Sequence, residues 1–469
     1  MSKPENNSVS DVSPQQKSAL LLLFVTFFID ILGVGLVITL NPYYVQKYPF
    51  FLGHRVNPGI AVGLLTACYP ALQLVCAPFW GRLSDRIGRR PIILLSLVGN
   101  SLTWLLFGLA RSLEMLFLAR MLSGVLSSAS LPTVQAYIAD STPPEKRSVW
   151  IGIVVGMGFS FGFMLGPGIG GYLGSVNLSY PAFLASGIAF VNFLAAWRRL
   201  PESLSDENRA LAAEHRPQGN IRQLAHALSI PRIGTMLLIL GSSTFAMQSM
   251  EQNLVLWGNK VATTTVTLDG WDELSPSFIR SHAVFQVDFS PTNPPPSSVD
   301  PRLVTPDQIL TGSVLRVHRH LIPRDTGLIL TLVAFVVGMI QGGALKRFVP
   351  RFGERNLIVG GSVIGALGFF LIPVATTFPA LLLASSIIAV GISFITPCLR
   401  GLISQDAAAH AQGSVLGVSE SVRSLAMTAG PLVGGALFDA GPSLPFNLGG
   451  LCMALCFVLA ASVRTPRRD

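Results

Sequence analysis

The chain has 469 residues, of which 50% are hydrophobic and only 12% are charged, whereas about 25% of the residues of a soluble domain are charged. Its mean hydropathy of +0.55 and its long apolar blocks exclude a water-soluble globular protein and indicate an integral membrane protein. The formal charge of +9 is spread over short clusters between those blocks, which argues against a nucleic-acid partner and favours an anionic membrane surface.

Twelve apolar blocks are long enough to cross a bilayer, because a hydrocarbon core of about 30 Å needs roughly 20 helical residues. We therefore predict an all-α polytopic membrane protein with twelve transmembrane helices. The blocks comprise residues 19–40, 60–80, 92–110, 115–138, 149–174, 181–197, 233–257, 326–345, 356–376, 378–398, 414–438 and 445–463.

Lys and Arg are concentrated on one side of this predicted bundle, and the positive-inside rule places that side in the cytoplasm. We expect both termini there, with the protein in an inner or plasma membrane or an organelle membrane. The predicted order is a cytoplasmic tail at 1–18, a bundle at 19–197, a cytoplasmic linker at 198–232, a second bundle at 233–463 and a tail at 464–469. An extracytoplasmic insertion at 258–325 is rich in proline and has strand-like patches such as residues 283–289.

The first helix carries an acidic residue, Asp30, about 11 residues from its start and therefore near the membrane midplane. A charge at that depth costs at least about 2.5 kcal/mol, so it marks a functional candidate. Arg120 in the fourth helix lies about 6 Å away along the membrane normal, a distance that an arginine side chain can span. We expect Asp30 to bind the proton and Arg120 to be its charge partner or modulator. The alternative is a static pair that joins the two helices.

The loop between the second and third helices is short, charged and rich in glycine. Its glycines permit a tight reversal, and Asp85 can pair with arginine or accept hydrogen bonds from a helix N-terminus. We expect a breakable conformational latch; the alternative is that the arginines only set the topology. The predicted latch residues are Gly81, Asp85, Arg86, Gly88, Arg89 and Arg90, with a weaker copy at Gly343, Gly353 and Arg355 in the second half.

Small residues recur within the fifth helix at Gly162, Gly166, Pro167, Gly170 and Gly171. Glycines four residues apart form a flat face for close helix packing, and a proline inside the helix permits a kink. We expect a closely packed, hinge-like helix; a plain packing surface is the alternative.

Other polar residues inside the blocks are candidates for a substrate cavity. Glu251 near the outer end of the seventh helix could bind substrate or mark the interface with water. Glu420 and Arg423 are three residues apart on the eleventh helix and share a face, which favours a structural ion pair. The candidate cavity residues are Gln73, Gln135, Glu251, Gln252, Asn253, Glu420 and Arg423.

Two segments of equal length, residues 132–152 and 397–417, carry Pro and Gly in register, and the Gly-Pro pattern at Gly166 recurs at Gly430. Duplicated bundles are common in transporters. We therefore predict two pseudo-symmetric six-helix bundles.

The loop from Gly81 to Arg90, together with twelve helices and the repeat, resembles the signature of the major facilitator superfamily. The motif from Gly162 to Gly171 and the arginine motif at Arg120 are similar to those of its drug and proton antiporters. The runs Ala136–Asp140 and Leu200–Ser203 resemble its tetracycline efflux branch. That branch commonly has an acid in its third helix, whereas the corresponding stretch here, residues 92–107, offers only Asn100, Ser101 and Thr103.

The resemblance implies proton-coupled efflux of a small amphipathic solute by alternating access. Proton symport or facilitated uptake is one alternative, and a membrane sensor or assembly factor that transports nothing is another. No Gly-x-x-x-x-Gly-Lys-Ser/Thr phosphate loop and no catalytic constellation occur in the sequence, so neither an ATP-driven pump nor an enzyme is expected. We expect a monomer that uses the proton gradient and needs neither a cofactor nor a metal.

Overall fold

A computed structural model describes residues 14–204, 230–261, 264–268, 284–288, 315–319, 322–406 and 412–462. The predictions for the terminal tails and the cytoplasmic linker fall mainly on residues 1–13, 205–229 and 463–469, which lie outside the described residues.

The first half of the chain is helical apart from one short hairpin, β1 (Phe50–Phe51) with β2 (His54–Arg55). A 3₁₀ turn, Ser127–Ala129, joins α5 to α6, and a π-helical turn, Gly152–Met157, joins α7 to α8. The helices are α1 (Pro14–Ile38), α2 (Asn41–Lys47), α3 (Pro58–Ile87), α4 (Arg89–Gly108), α5 (Leu113–Leu126), α6 (Ser130–Ser141), α7 (Pro144–Ile151), α8 (Gly158–Val176) and α9 (Tyr180–Arg199).

The second half repeats this plan and adds a small sheet. A π-helical turn, Ile340–Ala344, joins α11 to α12, and a 3₁₀ turn, Ile372–Val374, follows α13. The helices are α10 (Pro231–Val261), α11 (Pro323–Met339), α12 (Leu345–Phe352), α13 (Glu354–Leu371), α14 (Phe378–Asp406), α15 (Gln412–Ala440) and α16 (Leu444–Ser462).

Eleven helices within the described residues are long and apolar enough to cross a membrane. The remaining predicted block corresponds to α15, a helix of 29 residues whose sequence includes the charged residues Glu420 and Arg423. Together they form the predicted twelve-helix membrane protein.

Several helices extend beyond the apolar blocks that predict them. The first begins at Pro14 rather than residue 19, α10 continues to Val261, and α11 already begins at Pro323. Polar residues at helix ends reach the membrane surface, so the apolar pattern marks the span of the hydrocarbon core and not the whole helix. The described insertion between α10 and α11 is accordingly shorter than 258–325.

The insertion contains a three-stranded antiparallel sheet in the order β3 (Thr264–Leu268), β5 (Leu315–Arg319), β4 (Val284–Asp288). Val317 of the central strand pairs with Val266 on one side and with Val287 on the other. The strand predicted at residues 283–289 is therefore confirmed by β4.

The helices before residue 200 pack mainly on one another, as do those after residue 230. Contacts between the halves are concentrated in two pairs, α3 with α15 and α8 with α11. We call the end of the bundle that holds Gln16 and Ser462 the termini end, and the opposite end, which holds Val261 and Pro323, the insertion end.

Candidate functional site

The Asp30 carboxylate lies where α1 meets α4 and the start of α6, and the residue as a whole is half-buried. Asn100 donates a hydrogen bond of 3.0 Å to its Oδ1, and the Ser130 hydroxyl donates one of 2.6 Å to its Oδ2. Each carboxylate oxygen therefore has one neutral donor. No cationic side chain of the described residues lies within 4 Å of the carboxylate.

A line of polar side chains continues from this carboxylate toward the fourth spanning helix. The Ser127 hydroxyl donates to Asn100 Oδ1 over 3.2 Å, and the Ser123 hydroxyl lies 3.5 Å from that of Ser127. Ser123 is three residues after Arg120 on α5, so the two share a helix face. Asn100 and the two serines thus connect the region of Asp30 with that of Arg120.

Arg120 is almost completely buried, with 6% of its surface exposed. It donates a hydrogen bond of 3.0 Å to Asn41 Oδ1, and its guanidinium carbon lies 5.4 Å from the ring centre of Trp104 and 5.0 Å from that of Phe107. Its Nε has no hydrogen-bond partner among the described residues. Cation–π attraction to the two rings therefore helps to hold a charge that has no acidic partner within 4 Å among those residues.

The direct ion pair that helix geometry allowed between Asp30 and Arg120 is absent from this conformation of the described chain. The depths of Asp30 and Arg120 in the membrane predict only their separation along the membrane normal. The position of the guanidinium is determined by its contacts with Asn41 and the aromatic rings. Tyr69 of α3 is close enough to both charged groups to interact electrostatically with each. The two charges therefore belong to one polar region without touching.

The predicted latch forms a network inside the first half. Arg89 is buried and forms ion pairs with Asp85 and with Asp140, the latter over 3.0 Å. Its guanidinium also donates to the Ser84 hydroxyl over 2.8 Å. Asp140 ends the run Ala136–Asp140, which resembles the tetracycline efflux branch. Nothing in its local sequence indicates the ion pair with Arg89 of the loop, which only the structure shows.

The N-terminus of α4 is capped by a carboxylate that follows α9. Glu202 accepts hydrogen bonds from the backbone N–H groups of Arg89, over 2.8 Å, and Arg90, over 3.2 Å. Between α3 and α4, Gly88 has a φ of +113°, which side chains rarely tolerate, and a Cβ there would collide with Glu202. The glycine and the acid together fix the chain reversal.

The other latch residues are distributed as follows. Arg86 is exposed, and Arg90 donates to the Trp197 carbonyl over 2.7 Å. In the second half Arg355 donates to the carbonyls of Ala460 and Ala461, so the weaker copy of the loop also binds a helix of its own half.

The glycine motif of α8 lies against α1, as its spacing predicts. A Cβ at Gly162 would lie 2.9 Å from the Phe28 carbonyl oxygen, and one at Gly166 would lie 2.7 Å from Gly35 Cα. A Cβ at Gly170 would collide with the Leu36 backbone. This flat face brings two helix backbones into contact, and larger side chains would separate them.

Gly171, the last residue of that motif, lies at a contact between the two halves at the insertion end. A Cβ at Gly171 would lie 2.5 Å from the Pro323 carbonyl oxygen and 2.9 Å from Gly327 Cα of α11. The Tyr43 hydroxyl of the first half is 2.8 Å from the Thr326 hydroxyl of the second. The insertion end is therefore closed by direct contact between the halves.

Nearer the termini end, several glycines of the same regions make no close helix contact. Apart from their own helix and chain neighbours, no described atom lies within 4 Å of a Cβ position at Gly81 of α3, Gly156 before α8, Gly343 before α12 or Gly417 of α15. The glycine-mediated contacts seen at the insertion end are therefore not repeated at these four positions.

The candidate cavity residues fall into two groups. Glu251, Gln252 and Asn253 are buried, with 4%, 3% and 1% of their surfaces exposed. Gln248 donates to Glu251 Oε2 over 3.0 Å, whereas Oε1 has no partner among the described residues. This group is inaccessible in the present conformation.

The second group is accessible. The predicted pair of Glu420 and Arg423 is present at 2.9 Å and is partly exposed. Arg400 of α14, which is not among the candidate cavity residues predicted from the sequence, interacts electrostatically with both Glu420 and Arg423. Gln73 is partly exposed and Gln135 is exposed.

Comparisons with known proteins agree with this architecture. A family model described as Major Facilitator Superfamily matches residues 22–271 and 309–469. Multidrug resistance protein 2 of Bacillus subtilis (strain 168) is 27% identical over 97% of this chain and 97% of its own length. Tetracycline resistance protein, class E, of Escherichia coli is 28% identical over 90% of this chain and 88% of its own.

The crystal structure of the human organic anion transporter MFSD10 (TETRAN) has the same fold. It superposes with a TM-score of 0.62 at 21% sequence identity and covers 96% of this chain and 100% of its own. At this identity the likeness concerns the path of the chain and not the solute.

Proposed function

The chain belongs to the major facilitator superfamily, and from this membership we propose that it exports a small amphipathic solute, such as a drug, in exchange for protons. It is a multi-pass membrane transporter and not an enzyme. The names of its multidrug and tetracycline resistance relatives support drugs as the class of solute.

The observation that carries the proton-coupling proposal is the environment of Asp30. Its two oxygens have only the neutral donors Asn100 and Ser130 in a membrane-spanning bundle. Proton binding removes a charge that no described cation within 4 Å neutralises. Because the residue is only half-buried, we propose that protons reach the carboxylate during the transport cycle without unfolding of the bundle.

Arg120 is proposed to set the balance between the two protonation states. The polar line of Asn100, Ser127 and Ser123 runs from Asp30 to within one helical turn of Arg120, and Tyr69 interacts electrostatically with both charges. Small changes in helix position therefore alter the electrostatic influence of Arg120 on Asp30 without breaking a salt bridge.

We place both termini in the cytoplasm of an inner or plasma membrane, which makes the present conformation open to the cytoplasm. Solute then enters from the termini end while the insertion end is closed. In the alternate conformation a proton from outside binds Asp30 as the solute leaves, and the carrier returns with that proton. The proton gradient thereby supplies the energy, and no oligomer is required.

Contacts with the solute are proposed for the accessible polar residues. Gln73 is one helical turn from Tyr69 and shares its helix face, and Tyr69 interacts electrostatically with Asp30 and Arg120. The pair of Glu420 and Arg423 offers both charges on the second half. Gln135 completes the accessible group, while the buried segment at Glu251 is proposed to become accessible only when the insertion end opens.

The test uses purified protein in liposomes with an imposed pH gradient, and tetracycline and ethidium as separate probes. Antiport predicts that adding either probe on one side releases protons from the other, and that collapsing the gradient stops accumulation. Proton movement in the same direction as the probe would instead establish symport. If the protein neither transports nor binds either probe, the result would contradict drug export and favour a membrane sensor or assembly factor that transports nothing.

A further inference from the structure

The last turn of α15 provides a carboxylate that lies against the first turn of α3. Asp439 Oδ1 accepts a hydrogen bond of 2.9 Å from the Gly59 backbone N–H, and Oδ2 accepts one of 2.8 Å from that of Ile60. The acid belongs to the second half of the chain and the two donors to the first. These bonds therefore join the halves at the insertion end.

The first turn of α3 needs such an acceptor. Backbone N–H groups in the first turn of a helix have no partner within the helix, and they form the positive end of its dipole. Asn57, at the N-cap position, makes no side-chain capping bond, and Pro58 has no N–H to donate. Asp439 thus performs from the other half the role that an N-cap residue usually performs locally.

The two helices are in backbone contact at this point. A Cβ at Gly59 would collide with the Gly435 carbonyl oxygen, and one at Gly63 would collide with the Pro431 carbonyl oxygen. Toward the termini end no such contact exists at Gly81 within the described residues. The capping bonds consequently form only while α3 and α15 are closed at the insertion end.

We propose that Asp439 is the positioning residue that holds the insertion end shut, and that the transport cycle must break both of its hydrogen bonds to open that end. When α3 and α15 separate, the two N–H groups lose their acceptor and the carboxylate loses two donors. The bonds therefore favour the present conformation over the alternate one. This role depends on alternating access and not on which ion drives transport.

The first test measures the distance between the halves by pulsed electron spin resonance, with labels at Arg111→Cys and Leu444→Cys. The background has the five native cysteines replaced by alanine and is first shown to transport tetracycline. Asp439→Ala should raise the population with the insertion end open relative to the closed one on the order of tenfold. The matched control is Glu114→Ala, because Glu114 accepts a backbone bond from Leu52 within one half.

The second test removes a donor from the opposite helix. Ile60 is the third residue of α3, where a proline is tolerated, so Ile60→Pro deletes one of the two N–H groups without interrupting the helix. A shift in the same direction should appear, and adding Ile60→Pro to Asp439→Ala should change little more. Populations equal to those of the control, or fully additive shifts, would overturn the proposal. If these variants still transport tetracycline in a proton-dependent manner, their shifted populations do not arise from damage to the proton site at Asp30.

Discussion

Asn100 donates a hydrogen bond of 3.0 Å from its side-chain amide to the Asp30 carboxylate, across 70 positions of the sequence. Asn100 also accepts from Ser127 through its own side-chain oxygen, so its orientation is fixed by both partners. This polar residue of the third spanning helix is therefore a direct partner of the proposed proton site.

Replacing Asn100 by alanine should shift the pH dependence of transport toward higher pH. The ionised carboxylate loses one of its two donors, and a hydrogen bond to a charged group is worth about 1.5–3 kcal/mol. Initial rates of tetracycline uptake into inverted vesicles between pH 5.5 and 8.5 measure the shift. Ser101→Ala, which removes a neighbouring hydroxyl bonded to Ser186, is the control. An unchanged profile would remove Asn100 from the proton site.

Arg120→Lys should lose transport by about tenfold or more, although the charge is kept. The guanidinium lies near the rings of Trp104 and Phe107, and an ammonium group is more strongly hydrated and so less stable in this buried aromatic site. The exposed Arg111→Lys should transport normally. Near-normal rates in Arg120→Lys would mean that only the presence of a positive charge matters.

Gly166→Val should lower the melting temperature of the purified protein by several degrees and abolish transport. The added side chain would lie against Gly35 of α1, and overpacking typically costs about 1–3 kcal/mol. Gly187→Val is the matched control, since no described atom lies within 4 Å of a Cβ at that glycine. Equal melting temperatures for the two variants would contradict the close contact of α1 with α8.

Asp140→Asn should slow transport severalfold while the protein remains folded. Arg89 then retains Asp85 but loses one of its two ion pairs, and a buried charge with incomplete pairing is destabilising. Turnover in liposomes is compared with that of Arg86→Gln, which alters an exposed charge of the same loop. If Asp140→Asn turned over at the wild-type rate, the network would serve topology alone.

Much of the fold follows from the sequence because crossing a bilayer demands long apolar helices. The proton-site candidate Asp30 is equally evident, since a charge inside such a block is costly. Its partner Ser130 is not evident, because that contact depends on how α1 packs on α6, across 100 positions. The position of the Arg120 guanidinium likewise depends on Asn41.

The contacts between the halves are the least visible in the sequence. Asp439 lies near a helix end, where an acidic residue is unremarkable and costs little. Its role as a cap for Gly59 arises from the antiparallel meeting of α3 and α15. Neither local composition nor periodicity contains that relationship.

The most direct test of the account is the comparison of Asp30→Asn with wild type in two liposome assays of tetracycline movement. One assay measures accumulation driven by a pH gradient, and the other measures exchange of labelled for unlabelled tetracycline without a gradient. Asp30→Asn should lose accumulation and retain exchange, because the solute path survives while the proton site is gone. Accumulation at the wild-type rate in Asp30→Asn would contradict the assignment of Asp30 as the proton site.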